Sequence, residues 1–350
     1  MPKITIKNKV IDESSACYII AEMSANHNGN INQAIKILHA AKLAGADAVK
    51  LQTYTADTIT LDSNKDDFIL PADNPWEKHK TLYSLYEKAF TPWDWHAALF
   101  AAAKEINIDI FSSPFDHTAV DFLEELNCPV YKIASPEITD IPLIKRVAKT
   151  GKPVILSTGL SNKKDIELAV KTLLENGCKE YAILKCTTAY PAPFEDINLK
   201  TIPDMRREFN CIVGLSDHSL GNIVPIASVS LGAKIIEKHF VLSKNSSSVD
   251  AFFSLSPNEF KSMVDDVRLV EKALGQVNYD ISPASEKNCL ARRSIYVASK
   301  INKGEIFTTD NIKSVRPSYG LHPKYYEGML GKVCNCDLEK GDRLKREFSD

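Results

Sequence analysis

Between residues 17 and 274 the chain alternates short apolar runs with longer segments in which apolar residues return every three or four positions. Eight short runs stand out, at residues 17–24, 48–54, 108–114, 130–135, 153–158, 181–187, 211–218 and 234–240. The intervening segments carry helical periodicity: Ile31, Ala34, Ile35, Leu38 and Ala41 share one face, as do Phe260, Met263, Val264, Val267 and Val270. Gly45, Gly151, Gly177 and Gly232 stand where such helices should stop. Eight strand–helix units in succession predict an α/β fold, a parallel (β/α)8 TIM barrel.

Two regions depart from that rhythm. Residues 55–90 separate the second strand from a helix that begins near Thr91-Pro92-Trp93. A connection of that length at the catalytic end of a barrel predicts a lid or substrate wall. It contains Asp66-Asp67-Phe68-Ile69-Leu70, Trp76 and Leu82-Tyr83-Ser84-Leu85-Tyr86, which argue for local structure; a surface excursion with a small core of its own is the plainer alternative. After the eighth helix, polar residues 275–288 with Ser282-Pro283 mark a boundary, giving a barrel domain of residues 1–280 and a second domain of residues 281–350. That tail holds two similar turn motifs, Ile301-Asn302-Lys303-Gly304-Glu305 and Leu338-Glu339-Lys340-Gly341-Asp342. It is small for independent stability and is expected to dock on the barrel or on another subunit.

With 350 residues and 44% hydrophobic content the chain can bury roughly three quarters of its unfolded surface. A net charge of −2, with Lys and Arg spread throughout, offers no basic stripe for nucleic acid, although a local cationic pocket for an anionic metabolite fits. No run approaches the ~18 apolar residues of a membrane span, and the N-terminal residues lack the apolar core of a secretory signal, so a cytoplasmic protein is expected. The eight cysteines are scattered. Cys17, Cys128, Cys186 and Cys211 lie in or beside apolar runs and read as small buried hydrophobes, and Cys334 and Cys336 are too close for a zinc knuckle.

The ends of the eight runs carry the chemistry. They deliver Glu22, Lys50 with Gln52, Ser112 with Ser113, Lys132 with Ser135, Ser157 with Thr158, Lys185 with Thr187, Ser216 with Asp217 and His218, and Glu237 with His239 to one rim. Barrel interiors are ordinarily filled with branched apolar side chains, so lysines on the second, fourth and sixth strands need an anion. A carboxylate or phosphate ligand would provide it, as would ion pairs with Glu22 or Glu237. Serine and threonine hydroxyls suit phosphate oxygens, and lysines add point charge; the set resembles a pocket for phosphoenolpyruvate or another small phosphorylated acid. Glu22 and Glu237 suit general acid/base work or the binding of sugar hydroxyls. A lone His beside an apolar run is more often a packed side chain than a ligand, but His218 and His239 occupy matched positions on consecutive strands. Two histidines with water would hold an open-sided divalent ion, Mn2+, Mg2+ or Co2+, suited to polarising a carbonyl.

Glu22-Met23-Ser24-Ala25-Asn26-His27-Asn28-Gly29, Lys50-Leu51-Gln52-Thr53-Tyr54, Tyr131-Lys132-Ile133-Ala134-Ser135, Leu156-Ser157-Thr158-Gly159, Gly214-Leu215-Ser216-Asp217-His218 and Glu237-Lys238-His239-Phe240 resemble the sialic acid synthase family along nearly the whole chain. Ser314-Val315-Arg316-Pro317-Ser318-Tyr319-Gly320-Leu321-His322-Pro323 resembles that family's C-terminal antifreeze-like (SAF, β-clip) domain, which in relatives reaches over the partner's barrel in a homodimer. The opening motif, residues 52–61 and the Arg316 motif look most like the branch that makes pseudaminic acid. The resemblance implies condensation of phosphoenolpyruvate with an amino sugar and water, releasing phosphate. It further implies that Lys50, Ser112, Lys132, Ser135, Ser157 and Ser216 hold phosphoenolpyruvate, that Glu22, Gln52, Tyr190, Asp250 and Arg316 face the sugar, and that His218 and His239 hold the metal; Lys185 is a further substrate-binding candidate from its strand-end position alone. Thr188 and Lys185 depart from the neuraminate branch, which carries Asn at the first position, and this weakens the strand-six part of the transfer. Competing readings are a legionaminate or neuraminate synthase, a metal-dependent barrel aldolase, and a non-catalytic sugar-acid binding protein.

Overall fold

An antiparallel hairpin, β1 (Ile4–Ile6) and β2 (Lys9–Ile11), precedes eight parallel strands: β3 (Tyr18–Glu22), β4 (Ala48–Thr53), β5 (Asp109–Pro114), β6 (Tyr131–Ile133), β7 (Val154–Ser157), β8 (Tyr181–Cys186), β9 (Ile212–Asp217) and β10 (Ile235–His239). The computed structural model describes residues 2–350. The eight strands pair in chain order, and β10 closes on β3 to complete the barrel. The helices between and after them are α1 (Ile31–Leu43), α2 (Ala56–Ile59), α3 (Leu82–Ala89), α4 (Trp93–Glu105), α5 (His117–Glu125), α6 (Ile141–Ala148), α7 (Lys163–Glu175), α8 (Thr201–Phe209), α9 (Ile223–Ser230) and, following β10, α10 (Pro257–Leu274). Each apolar run thus becomes a barrel strand, as the periodicity predicts.

Strand alternation divides the side chains. Ile19, Ala21, Val49, Leu51, Ile110 and Ile236 face outward and pack with Ala34, Ile37, Leu38, Leu99, Phe260 and Met263 of the covering helices. Tyr18, Ile20, Ala48 and Phe111 take the other face and share a core with Ile4, Ile6 and Ile11 of the hairpin. The hairpin sits on the N-terminal ends of the strands: Thr5 N donates to Glu180 Oε2 at 2.7 Å, and Lys9 Nζ reaches Asp47 and Asp109 at 3.3 Å. Its three-residue strands are too short to carry a periodicity signal. Helix ends follow local rules. Asn30 caps α1 by accepting from Asn32 N and Gln33 N, and Gly45 takes φ +90°, which a side chain would strain.

The excursion after β4 is built rather than loose. It contains α2 and the two-turn helix α3, and Ile69 and Thr81 form an antiparallel bridge that closes the loop between them.

The chain divides into two compact units, Met1–Gly275 and Gln276–Asp350. The second has its own apolar core, including Ile295, Val297, Ile301, Phe307, Ile312, Cys334, Leu338 and Leu344, around the antiparallel pair β11 (Ser294–Val297) and β12 (Ile312–Val315). The two similar turn motifs meet: Ile301 and Leu338 exchange backbone hydrogen bonds of 2.9 and 2.8 Å. In each motif the fifth residue's carboxylate accepts from the second residue's N–H, Glu305 from Asn302 at 2.7 Å and Asp342 from Glu339 at 2.8 Å.

Candidate active site

At the C-terminal ends of the strands, two lysines and two glutamates form a buried cluster. Lys50 Nζ of β4 lies 3.0 Å from Glu22 Oε2 of β3 and 3.3 Å from Glu237 Oε1 of β10. Lys132 Nζ of β6 lies 3.8 Å from the same Glu237 oxygen and donates to Ser157 Oγ at 2.6 Å. Ser216 Oγ donates to Glu237 Oε1 at 3.2 Å, and Gln52 Nε2 to Glu22 Oε1 at 3.0 Å. The two lysines therefore find counter-charges inside the barrel, so neutrality alone does not require an anionic ligand. The carboxylates differ. Burial, with Glu237 nearby, raises Glu22 to about 7 despite Lys50. Burial would raise Glu237 too, but Lys132 and Lys50 outweigh it and hold this carboxyl below its ordinary value. Divergent neighbours of this kind mark acid/base sites.

The histidines stand beside this cluster, with ring centroids 5.3 Å apart. His218 Nδ1 lies 3.0 Å from the Thr187 carbonyl, to which it donates, leaving Nε2 as the ligating nitrogen. Among the described residues His239 Nδ1 has no hydrogen-bond partner; it is buried 3.8 Å from Asp250 Oδ2. Burial and the surrounding positive charge hold His239 well below its ordinary pKa, so its lone pair is free. Burial pulls His218 down as well, but the Cys186 sulfur 3.8 Å away raises it overall, so a cation there would compete with a proton. Among the described residues no group of three or more His, Cys, Asp and Glu side chains is spaced as a metal cage. The donor set fits a weakly held, open-sided divalent ion whose remaining positions fall to water or substrate.

Two expected residues of the barrel are turned away from this rim. Ser112 faces outward from the barrel, with its Oγ 2.6 Å from Thr53 Oγ1, which in turn lies 2.9 Å from His96 Nε2. Its neighbour Ser113 takes the inward position and accepts from Lys50 Nζ at 3.3 Å. Lys185 is turned away in the same manner, because Leu215, its register partner on β9, packs outward with Ile197 and Val224. Its ammonium is held by Cys186 O at 2.7 Å and Thr187 Oγ1 at 3.3 Å. Two adjacent strand residues cannot both face the interior, so of Ser112 and Ser113 only Ser113, and of Lys185 and Cys186 only Cys186, is turned inward. Arg316 belongs to the second unit, exposed after β12.

The remaining expected residues line one cavity of about 270 Å³: Glu22, Lys50, Gln52, Lys132, Ser135, Ser157, Tyr190, Ser216, His218, Glu237, His239 and Asp250. Tyr190 lies against His218 and Phe253 at centroid distances of 4.6 and 5.1 Å, and Trp76 of the excursion against Tyr190 at 5.3 Å. Asp250 accepts from Ser24 Oγ at 2.5 Å.

Comparison with known proteins accords with this geometry. The NeuB family model matches residues 37–279, most of the chain, and the SAF domain model matches residues 292–345. The chain belongs to the NeuB family. It is 48% identical to a pseudaminic acid synthase of Campylobacter jejuni subsp. jejuni over 94% of this chain and 95% of that one. It is 46% identical to the pseudaminic acid synthase of Helicobacter pylori, covering 94% and 96%. Among solved structures, the N-acetylneuraminic acid (sialic acid) synthetase of Leptospira borgpetersenii superposes with a TM-score of 0.73 at 29% identity, covering 82% of this chain and 94% of that one.

In this NeuB-family barrel some site residues gave no usable signal in the sequence. Cys186 is buried, as expected, but it does more than pack: its sulfur lies 3.8 Å from His218 Nδ1 and 3.6 Å from Thr188 Oγ1, beside Ser135. Burial would raise its thiol, but those neighbours lower it to about 6. Gly159 makes room there: a Cβ at this position would stand 1.9 Å from Thr188 Oγ1, and its N–H donates to Ser135 Oγ at 2.9 Å. Lys238, between Glu237 and His239, points outward and pairs with Asp217 and the Ser219 carbonyl, tying β10 to β9 behind the histidines. The parity of β8 would have pointed to Cys186 once Lys185 was assigned outward.

Proposed function

We propose that this chain is a pseudaminic acid synthase, condensing phosphoenolpyruvate with 2,4-diacetamido-2,4,6-trideoxy-L-altrose and water to give pseudaminate and phosphate. The observation that carries the reading is the meeting, in one cavity, of the Lys50–Lys132–Glu22–Glu237 cluster with His218 and His239. Identity of 46–48% to pseudaminic acid synthases over 94% of the chain supports the choice of product.

In this reading Lys50 and Lys132, with the hydroxyls of Ser135, Ser157 and Ser216, bind the phosphate and carboxylate of phosphoenolpyruvate. Gln52, Tyr190 and Asp250 orient the sugar in its open-chain form. The methylene carbon of phosphoenolpyruvate bonds to the sugar's aldehyde carbon, whose oxygen takes up a proton. Water then adds to the cationic C2 and gives up a proton, and the tetrahedral intermediate breaks its C2–O bond to release phosphate. Glu22, near pKa 7, serves as the proton carrier, and Glu237 stays ionised against the positive charge that develops at C2. A divalent ion held by His218 and His239 would supply Lewis-acid polarisation of the sugar carbonyl. The same reading includes a homodimer in which Arg316 of one copy serves the other's site; its support is the residue 314–323 motif and the exposure of Arg316.

Purified protein with Mn2+, phosphoenolpyruvate and the altro-configured sugar is expected to release phosphate only when both substrates are present, with a nine-carbon acid detected by mass spectrometry. Faster turnover of a gluco- or manno-configured precursor would assign a sister synthase instead. Product formed from pyruvate without phosphate would assign an aldolase.

A further inference from the structure

One part of the cavity wall has no task in the reaction above. Leu85 and Ala89 lie four residues apart on α3, so they share a helix face, and both are buried against the cavity. Trp76 lines the cavity with them, and its one polar atom, Nε1, is committed to the Val249 carbonyl at 2.9 Å. The cavity is thus polar where β3, β4, β6, β7, β9 and β10 end, while on the excursion side Leu85, Ala89 and the Trp76 ring form an apolar patch beside the Tyr54 and Tyr86 rings, which meet edge to face at 5.7 Å.

The wall is held in place. Thr81 caps α3 by accepting from Ser84 N at 3.1 Å, Leu70 N donates to Lys80 O at 2.8 Å, and Tyr83 OH donates to Asp57 at 3.1 Å. A pre-formed apolar surface discriminates because it has no partner to offer a hydroxyl that has been stripped of water.

We propose that Leu85, Ala89 and the Trp76 ring determine sugar specificity by receiving the methyl end of a 6-deoxy amino sugar and disfavouring a terminal hydroxyl. This inference rests on the synthase reading. The aldehyde carbon must meet phosphoenolpyruvate among the lysines and histidines, so the opposite end of the six-carbon chain extends away from the strand ends toward α3. A methyl group there stays in apolar contact. A hydroxyl there loses its hydrogen bonds to water and gains none from Leu85 or Ala89.

The test compares kcat/KM for the trideoxy sugar and for its 6-hydroxy counterpart, with phosphate release as readout. The native protein is expected to favour the deoxy sugar by about 10²-fold, the scale on which an apolar pocket rejects an added hydroxyl. Leu85→Asn and Ala89→Ser are each expected to cut that ratio by about tenfold, through loss on the deoxy sugar and gain on the hydroxylated one. Leu85→Met, which keeps the wall apolar, retains the ratio. Because the ratio is taken within one variant, partial misfolding cancels. Equal use of both sugars by the native protein, or an unchanged ratio in both polar variants, overturns the specificity inference and leaves the synthase reading standing. No turnover of the trideoxy sugar by the native protein overturns both.

Discussion

Glu22 and Glu237 are the same chemical group within 3.0 and 3.3 Å of the same ammonium, yet they hold protons differently because Lys132 approaches Glu237 as well. The consequence can be measured without substrate. Folding raises the Glu22 carboxyl from 4.5 to about 7, so between those values the folded state binds the proton more tightly than the unfolded chain. Stability from this group is therefore fully present below about pH 4.5 and is lost as pH rises through about 7. Glu22→Gln should remove that slope: in denaturant titrations at a series of pH values the variant gains stability relative to the native protein as pH rises across the window. Parallel stability curves would show that folding does not raise the Glu22 carboxyl. None of this is visible in the sequence, where both residues are simply glutamates at strand ends. The histidines are a different case, since matched positions on consecutive strands already suggest a pair. Their free nitrogens depend on the Thr187 carbonyl and on burial, which only folding supplies.

For the strand, the deciding property is parity. Apolar runs reveal that β5 and β8 exist, but a run that is apolar on both faces does not declare which residues point inward. Ser112 and Ser113 separate the possibilities. Ser113→Ala, which removes a partner of Lys50, is expected to raise KM for phosphoenolpyruvate severalfold. Ser112→Ala, which strips the Thr53–His96 network behind the strand, is expected to cost about 1–3 kcal/mol of stability and to leave that KM unchanged. Urea unfolding and steady-state kinetics distinguish them, and the reverse pattern would restore Ser112 to the binding site. The excursion teaches the same lesson: its composition announces structure, but helix α3 and the direction of Leu85 and Ala89 depend on Thr81, Lys80 and Asp57 holding the segment.

At the scale of the whole molecule, the barrel supplies every cavity residue named above, and the SAF unit carries Arg316. If Arg316 acts in a partner's site, Arg316→Ala and His239→Ala proteins, each inactive alone, should complement when co-refolded or co-expressed. Statistical pairing gives one intact site in each mixed dimer, and about a quarter of native activity. No recovery, or a monomer by light scattering, would place Arg316 outside any shared site. The number of strand–helix units, their parallel order and the rim that gathers the polar residues were determined by the sequence itself, because helical and strand periodicity, stop signals and short connections are local properties. Closure of the barrel decided the rest. It brought β10 against β3, so that Lys50 meets Glu237 across strands far apart in the chain, set which of two adjacent residues faces inward, and raised one carboxylate while lowering the other. Those outcomes depend on distances and burial between segments that have no neighbourhood in sequence, and Coulomb and desolvation terms act only through such distances.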